Sequence, residues 1–180
     1  MKGRKGEVMR KTEKLKELHN KNLVAANGTS VKAWHYTLGT KFMMIIESQA
    51  ILCTSVGIGT HERSAVWFST LNHWEPTATK GIMANGIRRD ATMAEMESEL
   101  GLFRLGVRID YPLIDWKEFL KTSNISRQEA KKLKKSGIKK GSHPDYWLVS
   151  YQPVELYDIV AIEQLIDGKW VDHFAVQKSP

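Results

Sequence analysis

The stretch Ile159-Val160-Ala161-Ile162-Glu163-Gln164-Leu165-Ile166-Asp167-Gly168-Lys169-Trp170-Val171-Asp172-His173-Phe174-Ala175-Val176 reads as two strands around a tight turn. Ile159 to Ile166 is rich in the aliphatic side chains that favour a pleated strand. Asp167-Gly168 tolerates positive φ at both central positions, which a two-residue hairpin with the correct twist demands. Lys169 to Val176 is therefore expected to return antiparallel. A doubly wound parallel sheet would instead separate its strands by helical crossovers.

Working outward, Tyr146 to Gln152 reads as a further strand, and Phe103 to Ile109 alternates apolar side chains with Arg104, Gly106 and Arg108. Thr92-x-x-Glu95 and Ser126-x-x-Glu129 are capping boxes. The first opens a helix stopped by a left-handed cap at Gly101, the second a lysine-rich helix ending at Gly137. Near the start of the compact region, Val31 to Tyr36 reads as a strand, Lys41 to Ser48 as a helix, Ile51 to Thr54 as an extended piece and Ala65 to Ser69 as a buried strand. Between the last two, Val56 to Thr60 reads as a flexible loop. The fold class is α+β: one domain over residues 31–180, with an antiparallel sheet flanked by helices. Residues 1–30 form a separate basic arm, with Val8, Thr12, Leu15 and Leu18 at helical spacing.

The chain has 180 residues, 42% hydrophobic and 26% charged, as in an ordinary soluble globular protein. No apolar run approaches a membrane span, and the basic start is not followed by the apolar stretch of a signal peptide. A lone cysteine, Cys53, cannot form an internal disulfide, so a reducing, cytoplasmic setting is expected. The net charge of +7 is uneven. Residues 1–32 carry +6 and residues 127–140 another +6, leaving a body of −5. Lys131, Lys132, Lys134 and Lys135 form the second patch, which attracts a polyanion such as nucleic acid or simply solvates a helix face.

Phosphate-cradling glycine loops and nucleophile elbows are absent from the sequence, and the histidines lack metal-ligand spacing, so no metal is expected. One constellation is more specific. Trp34-His35-Tyr36-Thr37 ends the first strand, a helix follows, and Val66-Trp67-Phe68-Ser69 makes the next strand. In this order and spacing the segments resemble the ADP-ribosyltransferase superfamily, in its histidine-type branch, and within it the bacterial toxins that modify nucleic acid. The resemblance covers residues 33–80, and 145–176 more loosely. It implies a split antiparallel sheet that binds NAD as substrate and needs no metal. It also implies cleavage of the nicotinamide–ribose bond, with transfer of ADP-ribose to a nucleic-acid or protein acceptor.

Carried onto this chain, the resemblance gives His35 the ribose hydroxyl and the Tyr36 backbone the nicotinamide amide. Thr37 supplies a hydroxyl, Trp67 a stacking wall and Ser69 part of the pocket. The third motif, an acid opening a later strand, has no clear match. Asp145 and Glu75 are the candidates for it. Two other readings stand beside this one. The RNA 2′-phosphotransferases share the fold, and a non-enzymatic basic module would bind nucleic acid or another protein without chemistry. A histidine between two aromatics can also be purely structural, and Arg88, Arg89, Arg104 and Arg108 are expected to pair with carboxylates such as Asp90 and Asp110 rather than with phosphate.

Overall fold

A computed structural model describes residues 31–54 and 58–176. The N-terminal arm and part of the Val56–Thr60 loop lie outside the described residues.

Strand β6 (Leu102–Arg108) is the backbone of the fold. Six of its seven residues are buried, so both its faces are covered. One face carries Phe103, Leu105 and Val107 into the main core. The other carries Leu102 against Met96 and Leu165. It pairs antiparallel with β1 (Val31–Leu38) on one side and with β10 (Ile159–Ile166) on the other. β10 turns through Asp167 and Gly168, both at positive φ (49° and 71°), into β11 (Lys169–Asp172).

Beyond β1 lie β3 (Val66–Ser69), β8 (Trp147–Ser150) and β7 (Ile114–Asp115). The sheet has seven strands in the order β11-β10-β6-β1-β3-β8-β7, and every pairing in it is antiparallel. Two small ribbons complete the set. One joins β2 (Ala50–Ile51) to β9 (Val154–Glu155), the other β4 (Gly81–Ala84) to β5 (Ile87–Asp90). The mixed helix-and-sheet class with antiparallel pairing is as expected from the hairpin.

Helix α1 (Gly39–Ser48) packs Phe42, Ile45 and Ile46 onto the sheet, with the Phe42 ring stacked 4.3 Å from Phe103. These side chains share a stripe at i, i+3 and i+4. Helix α2 (Met93–Leu100) has the complete Thr92–Glu95 capping box. Gly101 follows it at φ 65°, ψ 122°, so it ends the helix with a glycine conformation but not the left-handed helical cap expected. Helix α3 (Trp116–Thr122) buries Phe119 in an aromatic cluster with Trp67, Trp116 and Tyr151.

Helix α4 (Arg127–Lys139) is the lysine-rich one, and it does not end at Gly137. A Cβ at Gly137 would stand 2.4 Å from two indole carbons of Trp147, so the glycine is there for close approach rather than termination. Ser126 caps α4 by accepting from the Glu129 amide, while the Glu129 carboxylate binds Lys132. The expected return strand over Lys169–Val176 is also shorter. It stops at Asp172, whose Oδ1 accepts from the Phe174 amide at 2.8 Å and starts α5 (His173–Val176). No helix among the described residues is long and apolar enough to cross a membrane.

Candidate active site

The sheet is tightly laddered on one side of β1 and nearly open on the other. β1 pairs with β6 along most of its length but meets β3 at one register pair, Trp34↔Ser69. From His35 onward that edge of β1 has no strand partner among the described residues. The strands splay, and a cleft forms between them.

The His35 side chain spans the gap. Its Nδ1 lies 2.9 Å from the Trp67 carbonyl. A carbonyl only accepts, so Nδ1 carries the proton and Nε2 is a bare acceptor. The surrounding protein desolvates the imidazolium and lowers the His35 pKa to about 4, with the charge of Lys80 adding to the effect and the carbonyl bond opposing it. At neutral pH the ring is thus a neutral hydrogen-bond acceptor, held in one tautomer, with one edge open to the cleft. Its other neighbour is Phe68, edge-on at 5.8 Å.

The cleft has two lobes. The first, about 370 Å³, is lined by His35, Tyr36, Trp67, Ser69 and Glu75 and is covered by Leu133, Ser136 and Gly137 of α4. The second, about 690 Å³, runs along α1 and past Thr37, Cys53 and Ala65. His35, Tyr36, Trp67 and Lys80 line both, so the two lobes share a wall.

Glu75 is the chemically distinctive group. It is only 5% exposed, yet no cation lies within ion-pair distance of it among the described residues. Its position is set by three donors. Oε2 accepts from Ser69 Oγ at 2.7 Å, and Oε1 accepts from the Thr77 hydroxyl at 2.6 Å and the Thr77 amide at 3.1 Å. The last of these bonds caps the short 3-10 helix Pro76–Ala78, so local chain geometry holds the carboxylate rigid.

The remaining residues divide. Tyr36 donates its hydroxyl to the Leu71 carbonyl at 2.8 Å. Burial pushes its pKa up to about 12, against the nearby Arg104 charge. Its phenol is therefore structural, and what it offers the cleft is its backbone edge. Trp67 lines the cleft but also packs edge-on against Phe119 at 4.8 Å. Ser69 spends its proton on Glu75 and is a positioning residue. Thr37 is buried and lines the second lobe, not the first.

Asp145 is not brought to the cleft. It sits in the 3-10 turn Pro144–Tyr146 with its side chain 80% exposed, 3.1 Å from His143 Nδ1. Of the two acid candidates, only Glu75 lines the cavity. The exposed Lys131, Lys134 and Lys135 lie on α4, and Lys132 is paired with Glu129. Two of the arginines pair with carboxylates, Arg89 with Glu95 and Arg108 with Asp110 and Asp158, whereas Asp90 pairs with Lys140 and Arg88 has no carboxylate within ion-pair distance among the described residues. Arg104 is buried between the Trp34 and Trp170 rings and bonded to Glu163.

Sequence reasoning missed three contributors. Thr77 supplies two of the three bonds to Glu75. The α4 cover was legible as Leu133, Ser136, Gly137 and Lys140, spaced i, i+3, i+4, i+7 on one helix face. Trp34 lines the first lobe with an indole N–H that is buried and has no hydrogen-bond partner. Among the described residues no cluster of metal-ligating side chains occurs. No protein-family model, no curated protein and no solved structure matches this chain.

Proposed function

We propose that the chain is an NAD-binding ADP-ribosyltransferase-like enzyme that breaks the nicotinamide–ribose bond and passes ADP-ribose to a nucleic-acid or protein acceptor. The observation that carries this reading is the convergence of a neutral His35, a rigid buried Glu75 and the Trp67 wall on one cavity. Breaking that bond sends its electron pair to the nicotinamide nitrogen and leaves a ribosyl cation. A fixed carboxylate in a low-dielectric cavity stabilises positive charge more than one in water does. Glu75 fills that role. The bare Nε2 of His35 accepts from a ribose hydroxyl, a task that an imidazolium, with donors on both nitrogens, cannot perform. The unladdered edge of β1 at Tyr36 offers backbone groups to the nicotinamide amide, as a missing strand would. The acceptor nucleophile then captures the cation.

The test is release of nicotinamide from labelled NAD in the presence of nucleic acid and protein acceptors, together with NAD titration by calorimetry. His35→Ala should abolish both release and NAD binding. An intact, folded wild-type protein that neither binds NAD nor releases nicotinamide would rule the proposal out.

The outward lysines of α4 favour a second reading, a nucleic-acid-binding module without chemistry. It requires strongly salt-dependent binding that survives His35→Ala. In the enzymatic reading the same lysines recruit an anionic acceptor to the mouth of the cleft that α4 covers.

A further inference from the structure

We propose that Lys41 and Lys80 form a phosphate-binding subsite in the second lobe of the cleft, so that the ligand is a nucleotide whose diphosphate lies there. This rests on the reading of the first lobe as the place of the base and ribose, and it adds the polar half of the substrate.

Lys41 lies in the first turn of α1 and Lys80 in the segment before β4, yet both line the same lobe. Although much of Lys80 is exposed, desolvation lowers its pKa, and the nearby charge of Lys41 lowers it further. No carboxylate lies within ion-pair distance of either among the described residues. Three other cations of the body do have carboxylate partners: Lys121 has Glu118, Lys140 has Asp90 and Arg104 has Glu163. Glu47 also lines the lobe, outside ion-pair distance of both lysines.

A first-turn lysine is itself unfavourable, because the start of a helix already carries positive potential. α1 has no acidic residue in its first turn and no side-chain cap. Two like charges gathered against that potential cost stability in the free protein. An anion between them removes the cost and gains two charge-assisted hydrogen bonds. Lys80 lines both lobes, so a phosphate held there stays in reach of a sugar held at His35. The division of charge matches such a ligand: a carboxylate where cation develops, ammonium groups where phosphate lies.

The experiment titrates wild type, Lys41→Gln/Lys80→Gln and His35→Ala with inorganic pyrophosphate, ADP-ribose and nicotinamide riboside, following heat and melting temperature. Both lysines are exposed, so the double variant should fold. It should lose about tenfold in pyrophosphate and ADP-ribose affinity per lysine removed and bind nicotinamide riboside as wild type does. Lys41→Arg/Lys80→Arg should restore the loss. His35→Ala should keep pyrophosphate affinity and lose nicotinamide riboside binding. Unchanged pyrophosphate and ADP-ribose binding in the double variant overturns the subsite, as does a wild type blind to pyrophosphate. Tighter capture of a single-stranded oligonucleotide than of ADP-ribose by the same lysines overturns it too. Lysine-dependent pyrophosphate binding without nicotinamide release from NAD supports the subsite and defeats only the transferase.

Discussion

Lowering the pH from 7 to 4.5 should cost this protein about 2–3 kcal/mol of stability through one side chain, His35. The magnitude follows from two protonation equilibria. In the unfolded chain the imidazole titrates near about 6.5. In the folded protein burial lowers its pKa to about 4. Between those values the unfolded chain binds a proton that the native protein refuses, so stability falls as pH falls. The contribution is complete above about pH 6.5, declines through the window and flattens below about 4, at a full loss of about 3 kcal/mol. Other groups also titrate here, and a variant separates them. His35→Asn keeps an amide N–H to offer the Trp67 carbonyl but has no proton to bind.

Urea unfolding of both proteins at steps from pH 7.5 to 4.0 isolates the difference. The wild-type curve should bend downward relative to the variant between pH 6.5 and 4. Proton chemical shifts of the imidazole, followed in the same range, should put its midpoint near 4 rather than 6.5. A midpoint near 6.5, or parallel stability curves, refutes the desolvated, single-tautomer histidine and the hydrogen-bond role assigned to it.

Three further outcomes are expected. Gly137→Ala should destabilise by up to about 2 kcal/mol in urea unfolding, because overpacking against Trp147 at about 1–3 kcal/mol opposes a helix-propensity gain of about 1 kcal/mol. A more stable variant would mean that α4 does not seat on the indole as described. Glu75→Gln keeps the shape but removes the charge, and its amide nitrogen cannot accept from the fixed Thr77 or Ser69 donors. Nicotinamide release should fall about 100-fold or more with NAD affinity little changed; turnover at the wild-type rate would move the acid elsewhere. Neutralising Lys131, Lys132, Lys134 and Lys135 together should flatten the salt dependence of nucleic-acid binding by about 0.9 for each phosphate no longer neutralised, while leaving NAD hydrolysis intact. Filter binding across a salt series reads the first effect and a nicotinamide assay the second.

Local signals in the chain translate closely into structure. Asp167-Gly168 makes the expected turn, and Thr92 with Glu95 makes the expected box, because each is decided within a few residues of backbone. Asn85-Gly86 is an equally strong hairpin signal by the same turn chemistry. Both residues take positive φ, and β4 and β5 flank them. Gly137 and Gly101 show the limit of local reasoning. Each reads as a helix stop, but one is inside a helix because an indole presses against it, and the other ends its helix outside the left-handed helical basin. Strand alternation divides Trp67 and Phe68 between cavity and core; at the splayed edge of the sheet both touch the cleft, with Phe68 also in the core.

Sequence by itself determined the antiparallel class, the identity of the His35 and Trp67–Ser69 segments as strands, and the two clusters of positive charge. These depend on periodicity, turn chemistry and composition, which act over short separations. Tertiary structure alone decided that Glu75 and not Asp145 lines the cavity with His35, that α4 covers it, and that Lys41 and Lys80 line one lobe. The reason is geometric. Residues 35, 75 and 137 are far apart along the chain, and whether they converge is set by one loosened register pair between β1 and β3 and by the depth at which a glycine lets a helix approach the sheet.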